Sequence, residues 1–132
     1  MEGGEEKKKV LIVEDETSML TALTDKFERE GFSVEGARDG KTGLDRALAT
    51  KPDIILLDIV LPVMDGLTFL KQLRSANDWG KSVHVILLTN LSADKAEIVR
   101  TVAETEPAYY LVKADWKIEQ VVEKVREQLA RR

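Results

Sequence analysis

Short apolar runs recur along this chain at Val10 to Val13, Phe32 to Val34, Ile54 to Leu57, Val83 to Leu88 and Tyr109 to Val112. They lack regular polar alternation, which predicts strands covered on both faces, as in a parallel sheet. Amphipathic segments lie between them. Leu20, Leu23 and Phe27 form one helical stripe, Leu44, Ala47 and Leu48 a second, and Leu67, Leu70 and Leu73 a third. Val99, Val102 and Ala103 form a fourth, and Ile118, Val121, Val122, Val125 and Leu129 a fifth. Glu30-Gly31 closes the first helix, Lys51-Pro52-Asp53 closes the second and Asp65-Gly66 opens the third. A β-α unit repeated five times predicts right-handed crossovers and an open, doubly wound α/β sheet. Ligands of such sheets bind beyond the carboxyl ends of the strands, near the switch point in strand order.

That rule selects few residues. Glu14, Asp15 and Glu16 follow the first strand, Asp58 the third, Thr89 and Asn90 the fourth, and Lys113 the fifth. Asp58 stands out, because it terminates the run Ile54 to Leu57, where removing an ion from water costs several kcal/mol unless something compensates. Carboxylates within ~4 to 6 Å repel strongly and ask for a cation. Oxygen ligands without Cys or His favour Mg²⁺, or Mn²⁺. With a metal in place, a free Asp58 oxygen can attack phosphorus to give an acyl phosphate. Lys113 and the Thr89 hydroxyl then supply positioning and charge neutralisation.

Each residue also has a plainer reading. The acidic triplet can serve a helix N-terminus, worth ~0.3 to 1 kcal/mol through the macrodipole, a reading preferred only for Glu16. Thr89 can be a helix cap, although Ser92 and Asp94 suit that better, and Lys113 can be a surface charge. Their coincidence at successive strand ends favours a common site.

The 132 residues suit one domain over residues 9–130 behind a short charged tail, 1–8. Apolar residues at 43% and charged residues at 33% exclude a disordered chain. With no cysteine, disulfides and thiolate metal sites drop out, and a cytoplasmic location is expected. The 20 basic and 24 acidic residues give a net charge of -4, which disfavours nucleic acid as a partner. The apolar run after Lys7 to Lys9 is too short for export or for a membrane span, so those lysines read as a solvated strand entry.

The chain resembles the receiver domain of two-component response regulators. The matching segments are Val10-Leu-Ile-Val-Glu-Asp15, Pro52-Asp-Ile-Ile-Leu-Leu-Asp58, Leu61-Pro-Val-Met-Asp-Gly66, Val85-Ile-Leu-Leu-Thr89 and Tyr110-Leu-Val-Lys113, in family order and spacing from about Lys9 to Leu129. The resemblance implies a flavodoxin-like (βα)5 fold with five parallel strands in the order 2-1-3-4-5. It implies that Asp58 accepts a phosphoryl group from a histidine kinase or histidine phosphotransfer protein. Glu14, Asp15, Asp58 and the Val60 backbone carbonyl would hold Mg²⁺, Thr89 would bind the phosphoryl oxygen and Lys113 would pair with Asp58 or its phosphate. Tyr110 matches the family's switch aromatic, which turns inward when Thr89 moves. The resemblance further implies output to a protein partner through the fourth predicted helix, the fifth strand and the fifth helix, including Tyr110 and Trp116. The state expected is a monomer or a phosphorylation-dependent homodimer. Only Ala130, Arg131 and Arg132 follow Leu129, so the expectation is a stand-alone receiver, not an enzyme beyond self-phosphorylation and autodephosphorylation.

Departures from the family pattern shape the alternatives. Ala114 stands where a cis-joined proline is usual, and a non-proline cis bond costs ~2.5 to 4 kcal/mol. Asn90 replaces a usually small residue. Val60 and Leu91 are apolar and cannot orient an attacking water, which predicts a long-lived aspartyl phosphate. The lone His84 reads as structural. A pseudo-receiver that binds partners without phosphorylation is the second hypothesis, kept open by Ala114 and Asn90. A phosphohydrolase with an aspartyl nucleophile is the third, weakened because Val60 stands where a second carboxylate would be. No Gly-rich turn follows the first strand, which argues against dinucleotide binding.

Overall fold

The computed structural model describes residues 7–89, 109–112 and 117–131. Its strands are β1 (Lys9–Val13), β2 (Ser33–Ala37), β3 (Ile54–Asp58), β4 (His84–Thr89) and β5 (Tyr109–Val112). Its helices are α1 (Thr17–Arg29), α2 (Gly40–Thr50), α3 (Gly66–Ala76), a short α4 (Asp78–Ser82) and α5 (Ile118–Ala130). The strands form one sheet in the order β2-β1-β3-β4-β5, and every pairing is parallel. The switch point therefore lies between β1 and β3, as the doubly wound expectation requires.

Strand periodicity sorts the core into two layers. Leu11, Val13, Ile55, Leu57, Val85 and Leu87 project to one face, where they pack with Leu44 and Ala47 of α2 and Phe69, Leu70 and Leu73 of α3. Val10, Ile12, Ile54, Leu56, Ile86 and Leu88 project to the other, against Leu23 and Phe27 of α1 and Val121, Val122 and Val125 of α5. Burial on both faces is the reason that β3 reads as unbroken Ile-Ile-Leu-Leu.

The helix limits follow local chemistry. Asp39 caps α2 through the Thr42 backbone N–H at 2.7 Å, and Asp65 caps α3 through that of Thr68 at 2.8 Å. Gly31, at φ 95°, takes the chain out of α1, and Lys51, at φ 48°, ends α2. The structure departs from the sequence pattern at three places. Phe32 precedes β2 because its N–H still bonds the Phe27 carbonyl at 3.0 Å, and its ring meets Phe27 edge-on at 5.2 Å. β2 instead continues through Glu35 and Gly36 as an edge strand paired with β1, which needs no apolar run. Val83 serves as the C-cap of α4, bonding the Trp79 carbonyl at 3.0 Å, so β4 starts at His84. That short helix had no signal in the apolar periodicity. The predicted fourth stripe, Val99, Val102 and Ala103, lies outside the described residues.

α5 is fastened to the end of α1 by Arg126. Its Nη2 donates to the Glu30 carboxylate at 2.9 Å and to the Glu30 carbonyl at 3.2 Å, and its guanidinium sits 5.7 Å from the Phe32 ring centroid. The Arg126 hydrogen bond first, and Lys26 second, hold the Glu30 carboxyl below its ordinary value of 4.5. A depressed carboxylate contributes stability that is present above its unfolded pKa and lost as pH falls through the folded one. Glu30→Gln should therefore lower the urea midpoint at neutral pH, and the gap from the native chain should close in acid below the glutamate range. A gap that persists there would contradict an ionic contribution.

Candidate functional site

The carboxyl ends of β1 and β3 bring two acidic side chains to the switch point. The register pairs Val13 with Leu57, so the next step along both strands sets Glu14 beside Asp58. Both are buried, at 1% and 5% exposure, in a chain whose charged residues otherwise lie mostly at the surface. Glu14 is held by its backbone N–H donating to the Ala37 carbonyl at 2.9 Å, and its Oε2 accepts the Glu16 N–H at 3.1 Å. Asp58 is the last residue of β3, paired with Leu88, and its Oδ1 accepts the Val60 N–H at 3.2 Å. Asp15 is exposed, as is Glu16, the N-cap of α1.

The loop from Ile59 to Asp65 leaves Asp58 and closes on itself. The Ile59 N–H donates to the Leu88 carbonyl at 3.1 Å, and its carbonyl accepts the Gly66 N–H at 2.7 Å. Inside the loop, Met64 N–H bonds the Pro62 carbonyl at 2.7 Å around Val63, whose φ is 69°. An i to i+2 bond about a positive-φ residue is the strained form of γ-turn, and a β-branched side chain is an outlier there. Val60 and Val63 are exposed at 63% and 80%, so the loop after Asp58 turns two apolar side chains to solvent.

Gly66 lets α3 start directly against the strand end. A Cβ at this position would overlap the Asp58 carbonyl oxygen and stand 2.7 Å from the Ile59 Cα. Gly66→Ala should cost roughly 1–3 kcal/mol or more, because the atoms that the new methyl meets are backbone and cannot swing away. A melting temperature equal to the native one would refute that close approach.

The sequence-selected residues thus divide. Glu14 and Asp58 come together at one edge, with Val60 beside them through its hydrogen bond to Asp58. Thr89 ends β4 one position past the partner of Asp58, and the backbone of Tyr110 pairs with Leu87. Asn90, Leu91, Lys113, Ala114 and Trp116 lie outside the described residues, as does the Lys113-Ala114 bond. No group of three or more acidic, His or Cys side chains is gathered as a cation site among the described residues. The donors that are present, two adjacent buried carboxylates and backbone carbonyls, are all oxygen and suit a hard divalent ion. His84 is half-buried at the opposite end of β4, beside Ile54, away from this edge. A groove of about 170 Å³ lined by Lys9, Val10, Ser33, Glu35, Thr50 and Pro52 lies at the amino ends of the strands. It is smaller than the ~300 Å³ at which ligand pockets begin, and ligands of such sheets bind at the other edge.

Sequence reasoning missed the strained turn at Val63 and the closed loop around it, for which a valine gives no signal. It also passed over Gly66 as more than a helix start, although Asp-Gly next to a strand end is a cue for close backbone approach.

A parallel sheet in this order, with a buried aspartate at the end of its central strand, defines a flavodoxin-like module with its candidate site at the β1-β3 switch point. Residues 10–126 match the family model of the response regulator receiver domain, and the chain belongs to that family. The chain is 32% identical over 123 residues to the response regulator ArlR of Staphylococcus saprophyticus, covering 93% of this chain and 53% of that protein. It is 48% identical over 67 residues to the alkaline phosphatase synthesis transcriptional regulatory protein PhoP of Bacillus subtilis, covering 51% of this chain and 28% of that one. It therefore spans about half the length, or less, of these relatives. Among solved structures, the chemotaxis response regulator CheY4 of Vibrio cholerae superposes with a TM-score of 0.82 at 26% identity, over 93% of this chain and 99% of that one. A CheY-like receiver domain protein from Methanospirillum hungatei superposes at 0.85, also at 26% identity, over 95% of each chain. No described helix is long and apolar enough to cross a membrane.

Proposed function

We propose that this chain is a cytoplasmic phosphoacceptor receiver, phosphorylated on Asp58 by a histidine kinase or histidine phosphotransfer protein, which signals to a protein partner by a change of conformation. The burial of Asp58 at the switch-point edge, beside Glu14, carries the reading. Two like charges held side by side away from water favour a cation, and Glu14, Asp15, Asp58 and the Val60 carbonyl are the groups that would hold Mg²⁺. When bound, the ion would offset negative charge on the incoming phosphoryl group. An Asp58 oxygen attacks phosphorus, the bond from phosphorus to the donor breaks, and the donor departs with the electron pair. Thr89 and Lys113 are assigned the phosphoryl oxygens. Thr89 and Tyr110 are assigned the switch, with output through the segment containing Val99 to Ala103, β5 and α5, as monomer or phosphorylated homodimer. The module is not a turnover enzyme. Apolar Val60, exposed in the loop after Asp58, supports slow hydrolysis of the acyl phosphate.

A second reading has one observation in its favour. PhoP is named a transcriptional regulatory protein, and the aligned segment covers 28% of it, so this receiver is then one part of a longer transcriptional regulator. Immunoblotting the source cell for the mass of the native product tests this second reading, since a longer regulator would run well above 14.8 kDa and a product of that mass would refute it.

Incubation with Mg²⁺ and acetyl phosphate, followed by intact-mass measurement, tests the main reading. A phosphoryl adduct is expected on the native chain and not on Asp58→Ala. Millimolar Mg²⁺ should also raise the melting temperature by binding the folded state. No adduct on the native chain would favour a pseudo-receiver, and multiple turnover of phosphate esters a phosphohydrolase.

A further inference from the structure

We infer that Gly40 is a positioning residue for the Asp58 site, through a latch between the N-terminus of α2 and the loop that follows β3. The inference rests on the phosphoacceptor reading above. Gly40 is the first residue of α2 and is buried. Its N–H points to the Pro62 carbonyl at 3.4 Å, and a Cβ there would overlap the Met64 carbonyl oxygen and stand 2.7 Å from the carbonyl carbon. Pro62 and Met64 are the two ends of the turn that holds Val63 at φ 69°. A turn in that conformation persists only where its surroundings over-determine it. Here the loop is closed at its base by Gly66 N–H on the Ile59 carbonyl, and its far side is set against α2. Asp39 in turn fixes the start of α2, accepting from the Thr42 N–H at 2.7 Å and the Thr42 hydroxyl at 2.9 Å.

The absent side chain at Gly40 thus sets how closely the loop lies on α2, and the same loop carries the Val60 N–H that bonds Asp58. A side chain at residue 40 would push Met64 outward and shift the loop as a closed unit. Catalytic geometry is sensitive to displacements of about 1 Å, so the shift should slow phosphoryl uptake beyond what the accompanying loss of stability explains.

Amide exchange on the native chain tests the latch directly. The first N–H groups of a helix have no partner within it, so protection at Gly40 reports the contact with Pro62. Protection at Gly40 and Met64 is expected, and exchange at both as fast as in an unstructured peptide would overturn the latch whatever the chemistry. The rate of adduct formation from acetyl phosphate should then fall about tenfold or more in Gly40→Ala, with faster exchange across residues 59–66. Leu48→Ala, on the same helix but distant in sequence from its N-terminus, serves as the stability control and should keep the native rate. In Gly40→Ala/Val63→Gly the relaxed turn should restore much of the rate. A native rate in Gly40→Ala, or an equal slowing in Leu48→Ala, would overturn the inference. Absence of an adduct on the native chain would instead strike at the phosphoacceptor reading, and the exchange measurement would still decide the latch.

Discussion

Asp58→Asn should keep the fold while losing the phosphoryl adduct completely. The amide retains an oxygen where Oδ1 accepts the Val60 N–H at 3.2 Å, so the turn out of β3 keeps its hydrogen bond. The substitution also removes one of two buried negative charges, at 1% and 5% exposure, that the β1-β3 register sets side by side. Like charges in a shielded site destabilise each other, so their separation into one charge and one amide relieves repulsion. The chemistry has no such tolerance. An amide oxygen cannot form the acyl phosphate, so no accumulation above the background of an unrelated protein is expected by intact mass. The rise in melting temperature with Mg²⁺ should shrink in parallel, because a negatively charged oxygen has left the donor set. An adduct that persists on Asp58→Asn would move the acceptor to another residue. An undiminished Mg²⁺ shift would move the ion.

Why Asp58 was legible from sequence, and its surroundings only partly so, follows from the range of the interactions concerned. A strand buried on both faces must be written in consecutive apolar residues, so Ile54 to Leu57 announces both the strand and the anomaly of the charge that ends it. Helix limits are local too, and Asp65-Gly66 and Glu30-Gly31 mark them within two residues. The boundary of β2 was harder, because an edge strand takes its hydrogen bonds from β1 and needs no apolar run, while Phe32 spends its side chain on Phe27. The helix Asp78–Ser82 escaped for a different reason. At five residues it is too short to show periodicity, and it is held by the Asn77 side chain on the Gly80 N–H and by Arg74 on the Gly80 and Val83 carbonyls. The turn at Val63 was invisible altogether. Its positive φ sits in a loop closed between Ile59 and Gly66 and set against Gly40 of α2, 22 positions before Pro62, and the residue type argues against it. Family resemblance supplied what geometry on its own would not, namely roles for Thr89, Tyr110 and Lys113.

Phe69→Ala should produce the opposite split, a large loss of stability with the acceptor chemistry intact. Phe69 is fully buried on α3 and belongs to the layer formed by Leu11, Val13, Ile55, Leu57, Val85 and Leu87. Its ring reaches across to α2, where the position a Cβ would take at Gly43 lies 3.3 Å from its Cε2, so Gly43 has no side chain to move into the space it leaves. A cavity therefore remains, and truncation of a buried Phe costs about 3–5 kcal/mol. Against a total stability of about 5–15 kcal/mol for a domain of ordinary size, that is a large share, and the melting temperature should fall on the order of 10 °C or more. The site should survive where the fold does. Glu14 is fastened to Ala37, and Asp58 to Val60 and to its pairing with Leu88, none of which passes through Phe69. At a temperature well below its transition, Phe69→Ala should therefore take up phosphoryl groups at close to the native rate. Urea titration and intact mass on the same sample check both halves: a stable variant would mean that the α2-α3 layer repacks. A folded variant that fails to phosphorylate would mean that the packing of that layer, and not only the strand ends, sets the position of Asp58.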